Sequence, residues 1–394
     1  MRLTRLFNEF FESEKAGGLI LVFVTAVSLV LANSAFQTGY IQLWHYEIAG
    51  QHLVHWINDG LMCIFFLLIG LELEREIYLG ELSNIRNASL PIFGALGGML
   101  VPAGIFLLFN FGGPAQGGAG IPMATDIAFA VGILSLLGKR VPASLKVFLT
   151  ALAVIDDLGA VLVIAFFYTT TLSLLNLGIA LAILSVLFIL NRLKVYNLLP
   201  YLVGGVFAWY FMLQSGVHAT ITGVILAFLI PFGDGSEKSP SYILQRLLHK
   251  PVAFLILPLF ALANTCIALG GNWHGGLTGT LSLGIISGLI LGKPIGIVLF
   301  SLVAVRLGIG VLPDGLKWKN IIGAGLLGGI GFTMSIFITL LAFDDGAYID
   351  SSKIAILIAS CIAGIAGFIT LKLTLPATEE LPGKPEHLSK YQDL

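Results

Sequence analysis

Asp156 and Asp157 stand side by side within one of the most apolar stretches of the chain, Leu145 to Tyr168. At the centre of a lipid-spanning helix each acid costs on the order of +2.5 to +3.5 kcal/mol on insertion scales, so an adjacent pair there points to function. Asp126 and Lys293 also lie deep in apolar segments. Three acids against one base leave negative charge that calls for an exchangeable cation. Sodium and protons suit it, because a hard cation takes carboxylate and carbonyl oxygens and a carboxylate removed from water binds a proton readily.

Spacing divides the labour among these four side chains. Neighbours on a helix point about 100° apart, so Asp156 and Asp157 cannot share one facing partner. Lys293 lies 13 to 15 residues from either end of its apolar run and is too deep to reach the surface, while Pro294 beside it should kink the helix. A buried ammonium needs a carboxylate, and Asp156 is the candidate, which leaves Asp157 facing a cavity as the principal Na+ ligand with Asp156 beside it. Asp126, preceded by Thr125, suits another task. Half-helix N-termini carry roughly +0.5 charge each, and a carboxylate between two facing ends would neutralise them. The mechanism this predicts is competition of Na+ and H+ for Asp157 and its coupled neighbours, with alternating access and transport falling at acid pH. A purely structural polar network is the competing account.

The elements that position these charges follow from composition. With 57% hydrophobic and 11% charged residues the chain reads as a polytopic all-α membrane protein. A net charge of −1 gives no sign of nucleic-acid binding. Cys63, Cys266 and Cys361 are isolated within apolar runs and argue against both a disulfide framework and a metal site. Residues 1–15 have apolar side chains at helical spacing opposite charged ones and predict an amphipathic cytoplasmic segment on the membrane, not a cleaved signal. Residues 16–376 predict a single transmembrane domain, and 377–394 a polar cytoplasmic tail.

Apolar runs of about 20 residues predict twelve spans. They lie near 17–35, 54–76, 90–111, 115–138, 145–168, 173–191, 198–213, 216–233, 250–269, 278–306, 320–343 and 353–376. With the N-terminus inside, 19 of the 21 basic residues fall in inside segments, leaving only Lys353 outside and Lys293 within the membrane. Both termini are therefore expected in the cytoplasm.

Two spans resist a regular helix. In the fourth only Ile127 to Leu137 is continuously apolar, about 11 residues and too short to cross, and the Gly-rich GGPAQGGAGIPMATD before it predicts a half-helix breaking near Thr125 and Asp126. In the eleventh, Gly323, Gly325, Gly328, Gly329 and Gly331 fall within nine residues. Unwound backbone at membrane depth survives only where protein buries it or a cavity hydrates it. The two weak spans sit seven apart, an odd spacing that reverses membrane direction. Spans 3–5 and 10–12 can thus form an inverted repeat with discontinuous helices 4 and 11, placing an ion site at the midplane.

The runs FFLLIGLELERE (65–76), IPMATDIAFAVG (121–132), ALAVIDDLGA (151–160), SGVHATITG (215–223), LGKPIGI (291–297) and GLLGGIGFTMSIFI (325–338) together resemble the bacterial Na+/H+ antiporter A family over roughly residues 15–376. That family is among the cases from which the inverted-repeat rule was drawn, so the agreement with it is not independent. The resemblance implies a twelve-helix inner-membrane antiporter that exports Na+ or Li+, exchanges two protons per sodium, and needs no cofactor. It places the site acids on Asp156 and Asp157 and the broken-helix Thr-Asp on Thr125 and Asp126, so that Asp157, Asp156, Asp126 and Thr125 are the expected cation- and proton-binding residues, with the membrane lysine, Lys293, as their charge partner. It links pH response to Glu72 and Glu76, to His218, and to the segment before helix nine, where His249 stands but Ile243 and Gln245 replace charges carried by better-known members. Residues 40–53 resemble the hairpin through which family members dimerise, implying a homodimer.

The same charges admit two other readings. A sodium-coupled solute symporter of the same architecture would need a midplane pocket for an organic substrate, and no spare polar or aromatic cluster supplies one. An intramembrane aspartyl protease also uses two membrane Asp, but its Tyr-Asp and Gly-x-Gly-Asp signatures are missing.

Overall fold

The computed structural model describes residues 5–168, 172–268, 276–313 and 315–376. The expected C-terminal tail, 377–394, and residues 1–4 lie outside them. The chain is almost entirely helical, because in lipid a helix satisfies every backbone N–H and C=O within its own segment. Among the described residues ten helices are long and apolar enough to cross a membrane, and an eleventh crossing is available if Trp318–Gly328 and Phe332–Ala342, bent by 46° at their junction, count as one. The run near 216–233 accounts for the difference from twelve. Gly216 takes a left-handed conformation (φ 83°) and residues up to Thr220 form a turn, so only Ile221–Leu229 is helical, nine residues that are too few to span alone.

Arg5–Ala32 is one continuous helix, so the boundary expected after residue 15 falls inside it. The segment after it differs from a simple hairpin. Gln37–Trp44 is helical, held by the Tyr40–Trp44 ring contact at 5.7 Å and by a hydrogen bond from the Tyr40 hydroxyl to Ser28 Oγ of 2.9 Å. The antiparallel strands are confined to Glu47–Ile48 and Gln51–His52, joined by Ala49 and Gly50, both at positive φ as a tight right-twisting hairpin requires.

Glycine lets the central helices touch backbone to backbone. A Cβ added to Gly97 would lie 2.1 Å from the Gly296 carbonyl oxygen, and the reverse distance is also 2.1 Å, so Ile85–Asn110 and Thr280–Arg306 cross without side chains between them. Gly288, Gly292 and Gly296 repeat at every fourth residue, Gly288 against Pro122 and Gly292 against Pro102. Between Gly288 and Gly292 the helix widens into a π turn immediately before Lys293, which rotates the lysine relative to a regular helix. A second group, Leu174–Arg192, Leu198–Ser215 and Ile221–Leu229, packs its own core of Leu184, Tyr201, Met212 and Ala227 against Leu67 and Leu71 of the Leu53–Tyr78 span.

Candidate functional site

The peptide leading to Asp126 is tight and Gly-rich, a 3-10 stretch Gln116–Met123 that ends where Ala124 turns extended (φ −86°, ψ 153°). Asp126 is itself extended and caps the helix Ile127–Ser135, its Oδ1 accepting from the Phe129 N–H at 2.9 Å. Its other oxygen, Oδ2, accepts from the N–H of Thr333 at 3.0 Å and from the Thr333 hydroxyl at 2.5 Å. Thr333 lies in the first turn of Phe332–Ala342, so one carboxylate meets the positive N-terminal ends of two helices.

Other unwound backbone groups at this crossing are paired across it. The Asp126 N–H donates to the Ile330 carbonyl at 2.7 Å, and Ser335 Oγ donates to the Ile121 carbonyl at 2.7 Å. The Phe332 N–H donates to Ser360 Oγ at 3.1 Å. Two of the three glycines of the break are closely hemmed in. A Cβ on Gly329 would sit 2.4 Å from the Leu289 carbonyl oxygen, and one on Gly331 would sit 2.1 Å from Ser335 Oγ. Gly328 is less constrained, with its nearest neighbour, Ile297 Cδ1, at 3.0 Å.

The uninterrupted helix Ala143–Phe167 carries the acid pair to this crossing. Lys293 Nζ donates to Asp156 Oδ2 and to Thr125 Oγ1, the latter at 2.9 Å. Thr125 Oγ1 lies 2.8 Å from both Asp156 Oδ2 and the Gly328 carbonyl oxygen, and with a single proton it donates to one of them at a time. Thr125, Asp156 and Lys293 are fully buried. Asp157 is also fully buried, and among the described residues neither of its oxygens has a hydrogen-bond partner, nor does Asp156 Oδ1. Asp126, Asp156, Lys293 and Glu72 all lie within electrostatic reach of Asp157.

The residues linked to pH response are brought together only in part. Glu72 Oε1 is 3.7 Å from His249 Nδ1, and Glu74 Oε2 accepts from Ser241 Oγ at 3.1 Å. The Arg75 guanidinium lies 5.6 Å from the Tyr242 ring centroid. The Tyr78 end of that span is thereby joined to the helix Pro240–Pro251. Glu76 sits half-buried at the following turn, where its carboxylate blocks the space beside Gly80. His218 stands apart, its Nε2 3.0 Å from the carbonyl oxygen of Tyr168 at the end of the acid-pair helix.

Sequence reasoning missed Thr333, Ser360, and the Glu74–Ser241 bond. Thr333 had a signal: it is a hydroxyl residue two positions beyond the Gly-rich break, where a helix N-terminus exposes its N–H groups. The other two pairings join residues 28 and 167 positions apart, and nothing local marks them.

Residues 8–371 match the profile of the Na+/H+ antiporter 1 family. Over 375 residues the chain is 68% identical to Na(+)/H(+) antiporter NhaA 1 of Flavobacterium johnsoniae, covering 95% of this chain and 98% of that protein. It is 61% identical over 383 residues to Na(+)/H(+) antiporter NhaA of Cytophaga hutchinsonii, covering 97% and 99%. Against that of Vibrio cholerae it is 50% identical over 379 residues, covering 95% and 99%. A polytopic helical bundle with a buried carboxylate and lysine centre defines an integral membrane protein of the transporter class. The chain belongs to the Na+/H+ antiporter 1 family.

Proposed function

We propose that this protein is a secondary transporter, not an enzyme, that moves Na+ or Li+ outward across a bacterial inner membrane in exchange for H+, with Asp157 as the exchange site. The observation that carries the reading is the contrast within the acid pair. Asp156 is engaged by Lys293 and Thr125, whereas both oxygens of fully buried Asp157 lack a donor. With Asp156 Oδ1 they make three acceptors at one depth. Leaving such oxygens unpaired in a medium of low dielectric is costly, and either a proton or a sodium ion removes the cost. The two ligands exclude each other, so exchange needs no simultaneous occupancy. A second proton is taken at the Asp156–Lys293 pair, which gives two protons per sodium and moves one net positive charge inward. A membrane potential drives that by about 2.3 kcal/mol per 100 mV.

The remaining architecture fits this role. Ile221–Leu229 counts as the eighth of twelve helices, and helices 4 and 11 are discontinuous, crossing at Asp126 within an inverted repeat of spans 3–5 and 10–12. Asp126 holds the two half-helices together. The domain runs over 16–376, with residues 1–15 on the cytoplasmic face, the tail 377–394 also cytoplasmic, and both termini inside. The contact between Glu72 and His249 supports a pH response at that end of the molecule, with Glu76 beside it and His218 acting from the other end. The exposed edges of the 47–52 hairpin, within the 40–53 segment, pair two copies into a homodimer.

Purified protein in liposomes carrying an internal pH dye tests the reading. Addition of Na+ or Li+ should move protons, K+ should not, and the response should weaken as pH falls. Asp157→Asn should abolish it, and exchange at the wild-type rate in that variant would overturn the assignment.

A further inference from the structure

Thr150 lies on the acid-pair helix, seven residues before Asp157. Seven residues turn the helix by about 700°, some 20° short of two full turns, and rise about 10.5 Å, so the two side chains share one face. Thr150 is 7% exposed, and among the described residues its hydroxyl has no hydrogen-bond partner. Other threonines in or at the end of helices have a local outlet. Thr25, Thr265, Thr339 and Thr374 each donate to the carbonyl four residues back, at 2.7 to 2.8 Å. The same outlet, the Lys146 carbonyl, is within Thr150's own helix and its hydroxyl does not take it. Thr222 also lacks a partner, but it sits at the start of a different helix.

The turn between Thr150 and Asp157 presents Ala153 and Val154, with no polar group interposed. The neighbouring span Leu53–Tyr78 packs on this helix, and Oε1 of its Glu72, buried and without a hydrogen bond among the described residues, faces His249 Nδ1 at 3.7 Å. On the face they share, the acid-pair helix thus carries buried oxygens without a hydrogen bond at Thr150 and at Asp157.

We infer that Thr150 Oγ1 is a transient ligand for the cation as it moves between the inner surface and Asp157. The inference rests on Asp157 being the exchange site. A hydroxyl oxygen can share the coordination of a sodium ion, but it does not bind protons at physiological pH, so Thr150 acts on the sodium leg of the cycle and not on the proton leg. It is a ligand of neutral charge placed one stop before the carboxylates, where a carboxylate would hold the ion too long.

Proteoliposome exchange measured over Na+ concentration and pH tests this with Thr150→Val, which keeps the side-chain volume, and Thr150→Ser, which keeps the hydroxyl. Thr150→Val should raise the apparent KM for Na+ about three- to tenfold, the loss expected for one oxygen ligand of hydrogen-bond strength. The maximal rate and the proton inhibition constant should stay at wild-type values, and Thr150→Ser should restore the KM. A wild-type KM in Thr150→Val overturns the inference, as does equal impairment of the valine and serine variants, which would assign the effect to shape. If valine crowds the helix and lowers the yield of folded protein, Thr150→Ala is read in the same way. Asp157→Asn, run alongside, separates the two claims: if it is inactive while Thr150→Val is normal, only the Thr150 role fails, and if it still exchanges, the site itself is wrong.

Discussion

Removing one partner of the Lys293–Asp156 pair should destabilise the protein with a pH dependence whose sign reveals which partner is left. The two groups are fully buried and in direct contact, and breaking such a pair from one side typically costs about 3–5 kcal/mol. The stranded group sets an upper limit, because it can neutralise itself. In Lys293→Met the Asp156 carboxyl takes a proton, which at pH 7 costs about 4 kcal/mol for a group whose ordinary pKa is near 3.9. The folded variant then binds one more proton than its unfolded chain, so its deficit relative to wild type grows by about 1.4 kcal/mol per pH unit as pH rises. In Asp156→Asn the stranded ammonium gives up its proton, at a cost of about 5 kcal/mol at pH 7 from an ordinary value near 10.4. Here the unfolded chain holds the extra proton, so the deficit shrinks by the same slope as pH rises. The double variant Asp156→Leu with Lys293→Met strands neither charge and should be more stable than either single variant. Unfolding in mixed micelles, followed by tryptophan fluorescence between pH 5 and 9, measures all four proteins. Single variants within about 0.5 kcal/mol of wild type throughout, or slopes of the same sign in both, would refute the argument.

Two further outcomes follow from the crossing and from the helix contacts. Thr333→Val removes the hydroxyl bond to Asp126 but keeps the backbone one, and should cost about 1.5–3 kcal/mol because the acceptor is charged, while Thr333→Ser stays near wild type in the same unfolding assay. Gly296→Val drives a Cβ to within 2.1 Å of the Gly97 carbonyl and should cost at least about 1–3 kcal/mol, whereas Gly104→Ala, with nothing within 4 Å, should be neutral or gain up to about 1 kcal/mol; equal melting temperatures for the two variants would contradict the close crossing.

What could be read from the sequence depended on whether the cause was local. A run of 20 apolar residues forms a helix in lipid whatever surrounds it, so the long spans were legible one by one. The nine-residue helix at Ile221–Leu229 was not, since SGVHAT is apolar enough to extend a hydropathy window while the left-handed Gly216 and the turn after it take those residues out of the helix. Likewise Tyr40–Trp44 has strand-favouring residues, but two aromatic side chains four apart, one anchored on Ser28, make it a helix.

The site shows the same division at finer scale. That Asp156 and Asp157 must diverge is a property of any helix, and that Lys293 needs a carboxylate is a property of any buried ammonium. Which oxygens remain without donors is a property of neither. It depends on the π turn at Gly288–Gly292 that sets the rotation of Lys293, and on Thr125, whose hydroxyl lies beside the same Asp156 oxygen that Lys293 engages. It also depends on Asp126, whose two oxygens accept from two helix ends, Phe129 in its own helix and Thr333 207 positions away. Asp126 thus braces the crossing, and under the proposed exchange at Asp157 the oxygens without donors are those of Asp157 and one of Asp156. A site in which all three acids bound the cation equally would lose affinity in Asp126→Asn as steeply as in Asp157→Asn; the division of partners here makes Asp126→Asn chiefly a loss of structure at the crossing.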